Sequence, residues 1–209
     1  MDAATSDPDV ACELGLVSVD WHWTGKTSRT RLPLPNRCRS RPVPEGAVAA
    51  VVLSVAHNAW GMAFWFAATA ALLMCGFAPP VSALAGVGWG LGLFLLSVLA
   101  HEAGHVFVYR IVGGPGGGGF LVSRGIRCHL VRPTLTGSRD LAVILAGPLT
   151  PLATVAVLWP VGFIAPVPVA AWAVLALSHG LTLLAPVGDG ANAREAWRAR
   201  RLMRARHRS

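Results

Sequence analysis

The sequence predicts an all-α integral membrane protein with four transmembrane helices, and three observations lead to this prediction. First, 54% of the 209 residues are hydrophobic and only 13% are charged, whereas a soluble domain usually has about 25% charged residues. Second, the apolar residues form four long stretches. Third, the basic residues flank these stretches. We therefore expect lipid, and not water, to be the main solvent around the core.

The four apolar stretches give the predicted spans, because crossing the hydrocarbon of a bilayer takes about 20 residues of helix. Prolines separate the stretches within each pair, with Pro79-Pro80 in the first connection and Pro166 and Pro168 in the second. A buried soluble core also gives apolar runs, but four of this length favour a membrane. The predicted spans cover about residues 47–77, 81–112, 141–164 and 167–187.

The positions of lysine and arginine predict the orientation of the spans. All 18 basic residues lie in residues 1–46, in residues 106–140 or after residue 188, and the two short connections have none. Because basic loops stay in the cytoplasm, we expect a multi-pass protein of the cell membrane with both termini in the cytoplasm. The sequence does not indicate an oligomeric state.

The same pattern divides the chain into three parts. Residues 1–46 are predicted as a polar, basic cytosolic tail, with a small folded or interfacial piece around Trp21 and Trp23 as the alternative. Residues 47–192 form the transmembrane domain. Residues 193–209 form a basic cytosolic tail that meets anionic lipid headgroups. The formal net charge of +8 is accompanied by no nucleic-acid-binding motif, so the lipid bilayer is a predicted partner and nucleic acid is not.

An H-E-x-x-H motif, with His101, Glu102 and His105, lies near the end of the second predicted span. Residues four apart share one face of a helix, so both imidazoles can reach one metal ion and Glu102 can point to the water that the ion activates. Zinc in a hydrolytic site takes three protein ligands, and the carboxylate accepts a proton from the water. Such groups inside a span are costly and usually functional. The alternative is a helix end whose polar groups pair structurally.

Asp189 is the predicted third ligand of this metal. It is the only acidic residue within residues 141–194. His105 lies five residues before Arg110, the next basic residue in the chain, and Asp189 lies five residues before Arg194, the next basic residue after it. Since the second and fourth spans run in the same direction, both groups are expected at a similar depth near the cytosolic face. The alternative is a helix cap or turn residue. Metal binding requires the carboxylate within ~5 Å of the histidine nitrogens.

Together these motifs resemble the site-2 protease family of intramembrane zinc metallopeptidases. The H-E-x-x-H residues match its zinc-binding motif, and Gly147-Pro148 looks like the glycine-proline element of its middle core helix. Residues 183–190 look like its proline-containing segment that ends in the aspartate ligand. The resemblance covers about residues 81–192. It implies a three-helix core made of spans two, three and four, bound Zn²⁺, and hydrolysis of a peptide bond in a transmembrane protein substrate.

The chain departs from the family pattern at three places. Gly188 stands where the family usually has Leu, and Thr182 or His179 stands where it has Asn. Thr150 and Pro151 occupy the place of a second Asn. These departures leave an alternative function open, a catalytically inactive membrane scaffold or regulator that keeps the peptidase fold. A small transporter or channel is a further alternative, but the absence of an obvious internal repeat argues against a common transporter plan.

Two segments after the H-E-x-x-H motif are predicted to serve the substrate. The glycine-rich run at residues 113–119 cannot hold a regular helix, because each glycine costs about 1 kcal/mol there, so it could be a mobile loop that admits substrate. Residues 120–130 alternate loosely and predict a short β-hairpin. The resemblance suggests that an edge of this hairpin pairs with extended substrate backbone. A plain flexible linker is the alternative.

Three polar residues inside the predicted spans have no assigned role. His57 and Asn58 need hydrogen-bond partners within the first span, and we favour a structural role over a place facing the metal site. His179 lies ten residues before Asp189, which is about 15 Å along a regular helix. That distance is too long for a shared ion unless the chain unwinds near Pro186.

Overall fold

The computed structural model describes residues 39–76, 83–114, 116–124 and 127–206. Most of the predicted N-terminal tail, including the piece around Trp21 and Trp23, lies outside the described residues. The described residues are mainly helical, with one small antiparallel sheet. The elements are β1 (Arg39–Pro42), α1 (Ala47–Gly61), α2 (Ala63–Cys75), α3 (Ala83–Gly113), β2 (Phe120–Arg124), β3 (Arg127–Val131), α4 (Ser138–Leu158), a 3₁₀ helix (Trp159–Phe163), α5 (Pro166–Thr182) and α6 (Asp189–Arg206).

Two of the described helices are long and apolar enough to cross a membrane. These are α3, with 31 residues, and α4 continued by the 3₁₀ helix to Phe163, with 26 residues. The pair α1–α2 adds a third if it counts as one span. α5 is apolar but has 17 residues, fewer than the about 20 that the hydrocarbon requires. These helices indicate membrane association, while the predicted four spans do not follow from helix length alone.

The first predicted span, residues 47–77, is not a single helix, because α1 and α2 meet at an angle of 69°. Met62 leaves the helical conformation, with φ −94° and ψ 9°, directly after the weak helix former Gly61. Its amide still donates to the carbonyl of Asn58 at 2.9 Å, and the amide of Trp65 donates to the carbonyl of Met62 at 2.8 Å. The backbone groups at the bend therefore stay paired, as a helix break at membrane depth requires.

α3 lies at the centre of the helical part. It packs against α1, α2, α4 and α5, and α4 packs in turn against α5 and α6. The helices that correspond to predicted spans two, three and four therefore pack on one another. α3 also contacts β3, so the sheet lies against the helix that carries the H-E-x-x-H motif.

The predicted β-hairpin is confirmed. β2 and β3 pair antiparallel, from Phe120 opposite Val131 to Arg124 opposite Arg127. The sheet has a third strand, in the order β1-β2-β3, and β1 pairs with the edge of β2 that the hairpin leaves open. The outer edges that remain within the described residues are those of β1 and β3.

The described residues before the predicted boundary at residue 46 include β1, which pairs with β2. Past β1, the amide of Val43 donates to the carbonyl of Gly119 at 3.0 Å. The side chain of Val43 is buried with Ala50, Val106 and Leu121. Burial of this apolar cluster and pairing with β2 hold residues 39–43 against α3, although their basic and proline-containing sequence resembles a tail.

The predicted C-terminal tail is also not a separate segment within the described residues. α6 begins at Asp189 and runs to Arg206, so residues 193–206 continue as a helix from the predicted metal ligand. Because α6 packs against α4, the basic end of the chain is connected to the core by regular structure.

Candidate metal centre

His101 and His105 lie one turn apart on α3, and their side chains converge. The ring centroids are 4.9 Å apart with an interplanar angle of 77°, and the two Nε2 atoms are 3.2 Å apart. His101 is buried and His105 is half-buried. Two nitrogens with lone pairs this close repel each other, so the arrangement requires a proton or a cation between them.

The ring of His105 is fixed by α4. Its Nδ1 lies 2.7 Å from the carbonyl oxygen of Val143, and because a carbonyl only accepts, Nδ1 carries the donated proton. The Nε2 atom of the neutral ring is then the one with the lone pair. Histidine ligands of metals are usually oriented by such a second hydrogen bond.

Two glycines let α3 and α4 approach closely enough for this contact. A Cβ atom added at Gly147 would lie 2.1 Å from Nε2 of His105. A Cβ atom added at Gly104, inside the H-E-x-x-H motif, would lie 2.2 Å from Oγ1 of Thr150 and 2.6 Å from the carbonyl oxygen of Ala146. The glycine of the predicted glycine-proline element therefore leaves space for the imidazole of a predicted ligand.

Asp189 reaches the histidines through a break in the predicted fourth span. Helix α5 ends at Thr182, residues 183–188 are not helical, and Asp189 is the first residue of α6. Gly188 has φ +62°, a left-handed conformation that glycine adopts at little cost. Oδ2 of Asp189 lies 3.0 Å from Nε2 of His101, and Oδ1 lies 3.5 Å from Nε2 of His105.

The three side chains fit the requirements of a zinc ion. Among the described residues, His101, His105 and Asp189 form a group of potential metal ligands whose ligand atoms all lie within 4.8 Å of one another. A tetrahedron with bonds of 2.0–2.1 Å has edges of about 3.3–3.4 Å, close to the observed 3.2, 3.0 and 3.5 Å. Two histidines and a carboxylate are also a common donor set of catalytic zinc.

The electrostatics of Asp189 favour a charged carboxylate. Burial alone would raise the pKa of its carboxyl, but the adjacent imidazoles of His101 and His105 hold this pKa well below its usual range. An ionised carboxylate is the form that binds a metal cation. Glu102 lies within electrostatic range of His105 and Asp189, so the third predicted residue of the motif belongs to the same site.

His179 lies beside the metal-ligand group and is not part of it. Its ring centroid is 4.8 Å from that of His101, while its Nε2 is 3.1 Å from Oγ of Ser97 on α3. The Ser97 hydroxyl donates to the carbonyl of Phe94 at 2.7 Å, so the His179 ring is the donor in the contact with Ser97. Within the described residues Nδ1 of His101 has no hydrogen-bond partner, and the ring contacts with His105 and His179 orient it.

His57 and Asn58 lie in polar contacts elsewhere in the fold. Nε2 of His57 is 3.0 Å from Oγ of Ser123, which joins α1 to β2, and Nδ2 of Asn58 lies 3.4 Å from Oγ of Ser54. All four side chains are buried. Burial and these partners favour the structural role.

The glycine-rich run is hydrogen-bonded to α3 on both sides of residue 115, which lies outside the described residues. The hydroxyl of Tyr109 donates to the carbonyl of Gly118. The guanidinium of Arg110 donates to Gly117 at 2.6 Å, to Gly114 at 3.4 Å and to the carbonyl of Val43. These contacts connect the glycine-rich run to the helix that carries the H-E-x-x-H motif.

The hairpin lies close to the predicted catalytic residue. Cys128 on β3 is buried with Met62, Leu95 and Leu99, and this burial, together with the charge of Glu102, raises the pKa of its thiol. Cys128 is therefore within electrostatic range of Glu102 and stays protonated. This position could not be predicted from the sequence, because pairing of β2 with β3 does not reveal which helix the strand contacts.

Sequence reasoning missed two further groups around the site, the carbonyl of Val143 and the hydroxyl of Ser97. The acceptor at Val143 is a backbone carbonyl, and a backbone acceptor has no residue-type signal. Ser97 precedes His101 by four residues, so its place on the same face of α3 was the one available sign.

Comparisons with models of known protein families, with curated proteins and with solved structures found no match to this chain.

Proposed function

We propose that the chain is an intramembrane zinc metalloendopeptidase of the site-2 protease kind, which hydrolyses a peptide bond in a transmembrane protein substrate. The observation that carries this proposal is the convergence of His101, His105 and Asp189, whose ligand atoms come from two helices and lie 3.0–3.5 Å apart. A salt bridge alone would explain one histidine beside the aspartate. It would not explain two histidine Nε2 atoms facing each other and the same carboxylate.

Each residue has a definite task in this proposal. His101, His105 and Asp189 would hold the ion, and the hydrogen bond to Val143 keeps the His105 lone pair directed inward. When bound, zinc supplies Lewis acidity, which polarises the substrate carbonyl and lowers the pKa of water. Glu102 accepts the proton of the attacking water and returns it to the leaving amine nitrogen, a role that needs a carboxylate beside the site.

We further propose four spans in the cell membrane, with both termini in the cytoplasm. The bent pair α1–α2 would be the first span, followed by α3, α4 with its 3₁₀ extension, and α5. At 1.5 Å per residue, the 17 residues of α5 cover about 26 Å, and residues 183–188 complete the crossing of the about 30 Å hydrocarbon. The location of all 18 basic residues on one predicted side supports this topology.

The test separates zinc binding from catalysis. The purified protein in detergent is assayed for zinc per chain and for cleavage of a single-span model helix, with products identified by mass spectrometry. Glu102→Gln keeps the side-chain shape but removes the base, so we expect bound zinc and a cleavage rate lowered at least about 100-fold. Asp189→Ala should lower zinc affinity by at least about 100-fold, because loss of an outer partner already costs 10–100-fold.

Glu195→Gln is the matched control, because Glu195 is an exposed carboxylate on α6 outside the ligand group. It should leave both zinc and cleavage unchanged. Wild-type protein that binds no zinc would refute the metal centre. Bound zinc with cleavage unaffected by Glu102→Gln would refute the mechanism. Bound zinc without any cleavage would favour the scaffold function over the enzyme.

A further inference from the structure

Helix α6 has a basic, exposed side. At 100° per residue, an arc of about 160° includes Arg194, Trp197, Arg198, Arg200 and Arg201, all of which are exposed except the half-buried Arg200. The guanidinium carbons of Arg200 and Arg201 each lie 5.8 Å from the centroid of the Trp197 ring. No carboxylate of the described residues pairs with Arg198, Arg200 or Arg201. This arc is called the basic arc below.

The other side of α6 faces the protein. Asp189, Asn192 and Ala196 are half-buried and follow the i, i+3, i+7 pattern of one helix face. Since α6 packs against α4, this face is the one turned to the core. Glu195 lies outside the basic arc. The helix therefore has a protein-facing side that begins with a predicted zinc ligand and a basic side that is mainly exposed.

Short contacts connect α6 to the turn that sets Asp189. The guanidinium of Arg194 donates to the carbonyl of Ala185, and the amide of Asn192 donates to the carbonyl of Gly188 at 3.1 Å. An added Cβ at Gly190 would lie 2.4 Å from the carbonyl oxygen of Ala185, so the turn closes tightly on the helix. A shift of α6 along or across its axis must therefore move the carboxylate of Asp189.

We propose that the basic arc docks on anionic phospholipid headgroups at the cytosolic surface and that this docking holds Asp189 in its ligand position, so that zinc affinity depends on the charge of the membrane. The proposal rests on the metal centre proposed above. Several arginines near a leaflet each add attraction to anionic lipid. Tryptophan is typical of the membrane–water interface. Arg194, the first residue of the basic arc, lies within two turns of Asp189, and the metal centre is itself expected near the cytosolic surface of the membrane.

The experiment measures zinc affinity of the full chain in two lipid environments. The protein is placed in nanodiscs of phosphatidylcholine, or of phosphatidylcholine with about 30% phosphatidylglycerol, and titrated in zinc buffers against a chelator. We expect at least about fivefold tighter zinc binding in the anionic discs, the lower end of coupling between linked sites. High salt should reduce the difference, because exposed charges are screened.

Three variants test whether the basic arc causes the dependence of zinc affinity on lipid charge. Replacing Arg198, Arg200 and Arg201 by Gln should abolish the lipid dependence and leave zinc affinity near the value in neutral discs. Replacing the same three by Lys keeps the charge and should preserve the dependence. Arg139→Gln removes one exposed arginine from the start of α4 and should have no effect on it.

Hydrogen exchange of residues 189–206 in the same discs provides a readout that needs no zinc. Docking predicts stronger protection of α6 in anionic discs, lost in the glutamine variant. Equal zinc affinity in both discs, or dependence retained by the glutamine variant, would overturn the proposal. Protection of α6 by a short DNA duplex and not by phosphatidylglycerol would also overturn it. Cleavage activity with no effect of lipid charge would overturn the docking proposal without refuting the proposed enzyme. Absence of bound zinc in every disc would refute the proposed enzyme, and hydrogen exchange would then test docking alone.

Discussion

The two parts of the candidate metal centre are held in different ways. The histidine half consists of His101 and His105 and is set by the close crossing of α3 and α4 at Gly104 and Gly147. The aspartate half consists of Asp189 and is set by the turn at residues 183–188 and by the first turn of α6. One half thus depends on packing between two long helices, and the other depends on local backbone contacts.

This difference predicts how each half responds to mutation. Disturbing a crossing between two central helices should reduce both zinc affinity and the stability of the fold. Disturbing a surface turn should reduce zinc affinity more than stability, because turns belong to the less stable parts of a structure. A zinc site assembled in this way could lose its metal by movement of the aspartate half while the histidine half stays in place.

The largest effect is expected from Gly147→Ala. The added methyl carbon would lie 2.1 Å from Nε2 and 2.4 Å from Cε1 of His105, so either the imidazole or the whole of α4 must move. We expect a loss of about 1–3 kcal/mol in the free energy of unfolding, as for other overpacked sites. Zinc affinity should fall by at least about 100-fold, since a ligand is displaced and not only its outer partner. Thermal unfolding in detergent and zinc titration measure the two effects.

Gly90→Ala is the matched control on α3, because its added Cβ meets nothing within 4 Å. It should leave zinc affinity unchanged and raise stability by about 0.5–1 kcal/mol through the better helix propensity of alanine. If Gly147→Ala bound zinc as tightly as the wild type, the histidine half would not depend on the helix crossing.

A smaller effect is expected from Gly188→Ala, which tests the aspartate half. The backbone there has φ +62°, and alanine in this region costs roughly 1–2 kcal/mol. Relief of that strain would rotate the peptide before Asp189. We expect zinc affinity to fall roughly tenfold, which corresponds to about 1.4 kcal/mol, while the cooperative unfolding of the helices changes little.

Gly114→Ala provides the same strain away from the site, with φ +73° and no atom within 4 Å of the added Cβ. It should change the stability of the protein by about as much as Gly188→Ala does, without any loss of zinc affinity. Equal zinc affinities for the two variants would mean that the turn at Gly188 does not position the carboxylate.

The contrast between the halves also explains what could be predicted from the sequence. The histidine half lies within one helical turn, so its spacing follows from helix geometry alone. Asp189 could be identified because acidic residues are rare in this part of the chain, but its route to the site could not. The predicted span to residue 187 ends as a helix at Thr182, and Pro186 and Gly188 gave only a general sign that the chain unwinds.

Long-range contacts account for the main features of the fold that could not be predicted from the sequence. β1 pairs with β2, some 80 residues later in the chain, and its arginines and proline give no strand pattern by themselves. The bend at Met62 follows a single glycine in a long, mainly apolar run, and such a glycine is also found in straight helices. In both places the outcome depends on partners that are distant in sequence, whereas the hairpin at residues 120–131 is local and was predicted.

The smallest expected effect is that of Ser97→Ala, which tests the contact between α3 and α5 behind the histidine half. Ser97 is buried, and its Oγ accepts from the His179 ring at 3.1 Å, so the variant leaves an imidazole N–H without that acceptor. We expect a loss of about 1 kcal/mol in stability, the lower range for an unsatisfied group that is not fully buried. Ser178→Ala is the control. The exposed hydroxyl of Ser178 donates to the carbonyl of Leu175 at 2.6 Å, three residues earlier, as the hydroxyl of Ser97 donates to the carbonyl of Phe94. The difference in stability between Ser97→Ala and Ser178→Ala therefore excludes the bond to the helix carbonyl and leaves the bond to His179 together with the burial of Ser97. If that difference vanished while the absorption spectrum of the cobalt-substituted protein stayed unchanged, His179 would not orient the His101 ring, and the histidine half would be held by α4 alone.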